Sequence, residues 1–132
     1  MHLWASWCQP CVEEWPALAN WLRRLPARRI DIVTLSVDEP ESLPAARAVL
    51  GRLGRLPGRH VAASLDDALP AIHAVDPDWD GSLPATVLLD GAGRMALSQH
   101  GLTRFDALDG AIVRLGKPPA PARGEGPPAV GP

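Results

Sequence analysis

The chain has 132 residues, about the length of one domain, which excludes a two-domain enzyme and leaves room for one small core. Hydrophobic residues make up 46% and charged residues 21%, the balance of a globular chain rather than a disordered one. The net charge of −2 supplies no field for holding nucleic acid or an anionic membrane. Gly (12) and Pro (15) are frequent, and nine of them fall between Lys117 and Pro132, where Val130 is the one large apolar side chain. That segment cannot bury enough surface to offset its ordering, so a domain over 1–116 and a flexible, solvated tail over 117–132 are expected. There is no internal repeat, and no apolar run long enough to span a membrane. Met1 to Ala5 is too short to be a secretory signal.

In chain order, a short apolar stub, His2 to Ala5, runs directly into Trp-Cys-Gln-Pro-Cys. Cys11, Trp15, Leu18, Leu22 and Leu25 follow at intervals of three and four, predicting one helix over about 10–25 that Pro16 kinks. Ile30 to Val37 is aliphatic and β-branched, a buried strand closed by the turn Asp38-Glu39-Pro40. Ser42 opens a helix carrying Leu43, Ala46, Leu50 and Leu53, which Gly54 stops. A weaker strand is expected at His60 to Ala63 and a short helix at Asp67 to Ala74. Ala85 to Leu89 and Arg94 to Gln99 read as an antiparallel hairpin around Asp90-Gly91-Ala92-Gly93. Thr103 and Asp106 form a capping box for a last helix with Phe105, Leu108, Ile112 and Leu115 inward, ended by Gly116 and Pro118. Alternating strands and helices followed by a hairpin imply an α/β sandwich with a mixed sheet.

The two cysteines are spaced C-x-x-C where a strand enters a helix. There Cys8 meets unpaired backbone N–H groups and the positive end of the helix dipole, which favour its thiolate and make it the nucleophile. Cys11, one turn on and on the buried stripe, is placed to resolve a mixed disulfide. A static disulfide and half of a zinc site are the competing readings. So short a ring removes little unfolded-state entropy, and His2, His60, His73 and His100 show no paired ligand spacing, so no metal is expected. Glu14 lies at the edge of the apolar stripe, where a half-buried carboxylate has a raised pKa and can take the proton of the inner thiol. The plainer reading is an acid favoured by the first-turn dipole. Glu13 points away.

Residues 4 to 18, Trp-Ala-Ser-Trp-Cys-Gln-Pro-Cys-Val-Glu-Glu-Trp-Pro-Ala-Leu, resemble the active-site signature of the TlpA/ResA branch of thioredoxin-like proteins, thiol-disulfide reductases of the periplasm or tethered to the membrane. Leu83-Pro84-Ala85-Thr86-Val87-Leu88-Leu89-Asp90 resembles the cis-proline strand of the same family, and the likeness covers roughly residues 3 to 116. It implies a thioredoxin-like three-layer α/β sandwich with Cys8 as nucleophile, Cys11 as resolving thiol and Glu14 as the acid three residues later. It further implies Pro84 in the cis-proline role, Leu83 offering backbone pairing to an extended substrate, and Trp7 flanking the site. The family carries a whole central strand before this signature, and further strands ahead of that. Only three residues precede Trp4, so an incomplete first strand and a start internal to a longer protein are expected.

The resemblance implies a protein-disulfide reductase that needs no cofactor beyond its own Cys8–Cys11 pair. Its partners would be a disulfide-bearing protein and an upstream thiol donor, with a membrane-bound donor among the candidates, and it would work in the periplasm. Apocytochrome c, a copper-site assembly protein and a general periplasmic pool all fit as substrates. Two other readings are a thioredoxin-fold module that only binds a partner or metal, and a peroxiredoxin-like peroxidase. Against the second, no Thr precedes Cys8.

Overall fold

The computed structural model describes residues 1–116, so the Pro/Gly-rich segment 117–132 lies outside the described residues. Five strands form one mixed sheet: β1 (His2–Trp4), β2 (Val33–Ser36), β3 (Arg59–Ala62), β4 (Ala85–Leu89) and β5 (Met95–His100). Their order is β3-β2-β1-β4-β5, parallel across β3, β2 and β1 and antiparallel across β1, β4 and β5. The apolar stub is thus the central strand. Though only three residues long, β1 pairs on both sides, His2 with Thr34 and Thr86, Leu3 with Leu35 and Ala85. Leu3 and Trp4 are buried as that position demands.

The helix expected over 10–25 is two. Pro16 has no N–H to give the preceding turn, and the chain breaks at Glu14 into α1 (Gln9–Glu13) and α2 (Trp15–Leu22), ending before a 3₁₀ turn at Pro26–Arg28. The apolar stripe still holds, for Cys11, Trp15, Leu18, Leu22 and Leu25 are all buried. Trp15 packs edge-on against Trp4 at 4.8 Å between ring centroids, and Trp21 meets Phe105 at 5.6 Å. The second contact joins α2 to α5 (Phe105–Leu115), and the indole of Trp21 also donates to Asp109 Oδ1 at 2.8 Å. On α5, Leu108, Ala111 and Ile112 face the core, whereas Leu115, expected inward, is exposed in the last turn.

Between these elements lie α3 (Leu43–Leu53) and α4 (Leu65–Val75), the latter carrying Pro70 in its interior. Strand β3 is mostly exposed, as befits the sheet edge, and it is entered through Gly58 at φ 94°. Here the backbone passes so close to Ile32 that an added Cβ would collide with the Ile32 carbonyl oxygen, the same oxygen that accepts from Arg59 N at 3.0 Å. Gly81 has a similar φ of 95° but open space around it. Gly58→Ala therefore incurs both backbone strain and a clash, and should lower unfolding stability in urea by at least about 2 kcal/mol. Gly81→Ala incurs strain alone, about 1 kcal/mol; equal losses would mean that the approach to Ile32 is not the constraint.

Candidate active site

Cys8 and Cys11 form a disulfide, with Cα atoms 5.3 Å apart. Cys8 is the N-cap residue of α1, and its Sγ accepts from Cys11 N at 3.3 Å, occupying one of the donors that a helix start leaves unpaired. Cys11 is fully buried and Cys8 nearly so, while Trp7 beside them is 65% exposed. The inner position thus belongs to Cys11 and the outer to Cys8. A cavity of about 770 Å³ is lined by residues such as Leu18, Trp21, Ile32 and Ile112, and none of Cys8, Cys11 or Pro84 lines it. Cys8 is therefore approached from the surface rather than through that cavity.

The segment leading into Cys8 is anchored by a residue read from sequence only as part of a turn. Buried Asp38, just past β2, accepts from Ser6 N at 3.0 and 3.2 Å through its two oxygens, from Ser6 Oγ at 2.5 Å and from Ser36 Oγ at 2.5 Å. Ser6 is thereby held two residues before the outer cysteine.

On the opposite side of the sheet centre, the chain from α4 to β4 is stapled by Trp79, whose indole donates to Ser82 O at 2.9 Å, and by Asp80, which accepts from Ser82 N at 3.0 Å. The Leu83–Pro84 peptide that follows is cis, with Pro84 buried and Leu83 partly so. Pro84 O accepts from Gly101 N at 2.8 Å, and Gly101, at φ 102°, turns the chain from β5 toward Thr103.

Thr103 does not cap α5 as its spacing to Asp106 suggested. Arg104 takes the N-cap position without a side-chain bond, and Thr103 bonds Glu14 instead. Its N–H donates to Oε1 at 2.9 Å and its hydroxyl to Oε2 at 2.8 Å. Glu14 sits at the joint between α1 and α2 with its side chain only 8% exposed. Burial raises its pKa above the ordinary carboxylate value, and the two Thr103 bonds offset that only in part. This is the environment expected at the edge of the apolar stripe.

The spacing of His2 marks it only as a histidine without a paired metal ligand. Its Nδ1 lies 3.0 Å from Thr86 Oγ1 and its Nε2 3.7 Å from Glu14 Oε2, with no hydrogen-bond partner for Nε2. Enclosure on all sides, helped by the nearby N-terminal ammonium, holds its pKa down to about 3. The other histidines are tied locally. His60 lies between Thr34 Oγ1 and Leu56 O, and His73 reaches Trp79 O. His100 meets Asp76 at 2.8 Å and Ser98 at 3.0 Å. That Ser–His–Asp group is no relay, because serine and aspartate meet the same ring nitrogen, Nε2, and so cannot load opposite sides of the imidazole. Among the described residues no group of three His, Cys, Asp or Glu is placed to hold a metal ion.

No family profile matches the chain. The thiol:disulfide interchange protein DsbE homolog of Paracoccus denitrificans is 32% identical over 119 residues, which cover 89% of this chain and 59% of that protein. Thiol-disulfide oxidoreductase ResA of Bacillus subtilis is 24% identical over 95 residues, 72% of this chain and 48% of that protein. The crystal structure of StoA from Bacillus subtilis matches the fold with a TM-score of 0.65 at 21% identity, over 83% of this chain and 78% of that one. In sequence the chain is similar to the ResA and DsbE oxidoreductases, and its fold is the thioredoxin-like one of the structures it matches. It spans about half the length of the curated relatives it matches.

Two buried titrating groups, His2 and Glu14, pull stability in opposite directions with pH. Unfolded His2 takes up a proton near 6.5, whereas folded His2 resists until about 3. The unfolded state therefore binds more protons across that window, and folding stability falls as pH falls through it. Glu14, with a raised folded pKa, keeps its proton above 4.5 where the unfolded chain has lost it, so its contribution is favourable on acidification and is lost as pH rises through the folded value. In urea titrations of the oxidised chain, the His2→Asn variant should lose less stability than the parent between about pH 6.5 and 4. Identical pH slopes would show that His2 is not excluded from charging.

Proposed function

We propose that the chain is a thiol-disulfide oxidoreductase acting as a protein-disulfide reductase. The observation that carries this is the disulfide between an outer, N-cap Cys8 and an enclosed Cys11, set beside an exposed Trp7 and with a buried carboxyl group three residues further on. In the reduced chain, the Cys8 thiolate attacks a substrate S–S bond. One substrate sulfur leaves as thiolate, and the other stays bonded to Cys8. Cys11 passes its proton to the Glu14 carboxylate and attacks the Cys8 sulfur, which closes the Cys8–Cys11 bond and frees the second substrate thiolate. A dithiol donor upstream, membrane-bound among the candidates, then reduces the pair by the same exchange, so no further cofactor is required. The substrate is read as an extended, disulfide-bearing protein segment that pairs with the Leu83 backbone beside Pro84 and packs on Trp7. Apocytochrome c is one candidate consistent with the family. The ResA and DsbE likeness supports a site of action outside the cytoplasm, in the periplasm or tethered facing it; among the described residues no helix is long and apolar enough to cross a membrane.

The reduction potential of the Cys8–Cys11 pair, measured by alkylation across a thiol buffer series, should lie at or below about −250 mV, on the thioredoxin side of the scale. A value above about −180 mV would reverse the direction of electron flow proposed here. Cys8→Ser should abolish insulin reduction, and Cys11→Ser should accumulate a mixed disulfide at Cys8. Glu14→Gln should slow resolution roughly 10²-fold near neutral pH, with the deficit shrinking as pH rises and water or hydroxide takes over as base.

A further inference from the structure

The one buried side-chain polar atom without a partner among the described residues is Nε2 of His2, and it faces the carboxyl group at the helix joint. Leaving such an atom unpaired costs about 1–3 kcal/mol, so a fold that keeps it there must give it a partner in some state. The 3.7 Å gap to Glu14 Oε2 closes to hydrogen-bond distance with a shift of under about 1 Å. No other acid or base forms an ion-pair contact with either group among the described residues. Around them, Thr86 on β4 offers a hydroxyl to Nδ1, Thr103 from the β5–α5 turn donates twice to Glu14, and the Met1 ammonium just before β1 donates to Val87 O.

We infer that His2 is a positioning residue for Glu14, a neutral imidazole that hydrogen-bonds both protonation states of the carboxyl group by changing which nitrogen carries its single proton. With Glu14 protonated, the acid O–H donates to Nε2 while Nδ1–H donates to Thr86 Oγ1. With Glu14 ionised, Nε2–H donates to the carboxylate while Nδ1 accepts from the Thr86 hydroxyl, which serves equally as donor or acceptor. The ring holds one proton throughout. The proton lost on ionisation is that of the carboxyl group, and in the oxidised chain it goes to water. The Thr103 N–H donates to Oε1 in either state, and the contacts that adapt lie around Oε2, where the Thr103 hydroxyl and His2 Nε2 can each donate or accept, letting Glu14 accept and release a proton without rotating away from its site. An imidazolium paired with a fixed carboxylate is disfavoured, because the ring is enclosed and lies next to the Met1 ammonium.

The inference deepens the role proposed for Glu14, and its test uses the oxidised chain, where neither cysteine titrates. Its outcome is therefore independent of whether the pair exchanges disulfides. The measurement is the ring ¹⁵N shifts of His2 together with the side-chain ¹³C shift of Glu14, followed from about pH 3.5 to 9, a range that brackets ordinary and raised carboxyl values. The expected result is a ring that stays neutral while its proton moves from Nδ1 to Nε2 with the same midpoint as Glu14. In Glu14→Gln, whose amide donates to Nε2 at every pH, the proton should stay on Nδ1 throughout. A ring proton that stays on one nitrogen while Glu14 titrates overturns the inference. So does a ring that gains a second proton together with Glu14, or a carboxyl group that does not titrate in this range.

Discussion

A carboxyl group buried where a helix breaks is the constraint on which this site is built. Pro16 denies the preceding turn its hydrogen bond, and at the resulting joint Glu14 is met by Thr103 and His2. From the edge of the apolar stripe this one side chain ties the cysteine helix to the turn after β5, which Pro84 O holds through Gly101. Two long-range connections, 89 residues apart in sequence for Glu14–Thr103 and 84 for His2–Thr86, thus converge beside the cysteine helix. Taking a carboxyl group out of water is costly unless it is hydrogen-bonded, and the Thr103 pair supplies that compensation while leaving the pKa raised.

The outer cysteine is held by a different arrangement. Asp38 gathers Ser6 and Ser36 at the end of β2, and Val37 N donates to Trp4 O across the β1–β2 edge at 2.9 Å. The three-residue central strand is therefore extended by contacts beyond its own ladder, and these carry the chain from Trp4 through Ser6 to Cys8 in one conformation. A thiol whose attack is directional gains from such rigidity, because the cost of ordering the loop is met in folding rather than during the reaction.

Much of this was legible in the amino-acid pattern, and what was not follows one physical rule. Ala85–Leu89, the Asp90-to-Gly93 turn and the buried stripe from Cys11 to Leu25 follow from spacing, because period and turn chemistry are local properties. The edge position of Glu14 was readable for the same reason. The partners of Glu14 were not. Thr103 and Asp106 have the spacing of a capping box, and only the fold shows that the hydroxyl serves the distant carboxyl group instead. Asp38 looked like turn chemistry, and His2 like an isolated histidine, since nothing within a few residues of either signals burial. Leu115 fits the apolar face of α5 by period, yet it lies exposed in the last turn.

The polar groups at the centre differ in what surrounds them. Asp38 accepts from one backbone N–H, that of Ser6, and from the Ser6 and Ser36 hydroxyls, and serves as an anchor for the approach to Cys8. Glu14 receives two donors from Thr103 and lies opposite an imidazole, a group able to donate or accept at each nitrogen. A buried carboxyl group that faces an amphoteric neighbour can change charge at a lower cost than one met by backbone N–H donors alone. For the exchange proposed above, Asp38 would fix the approach to the outer sulfur and Glu14 would be the proton site near the inner one, so that the two tasks fall to separate carboxyl groups.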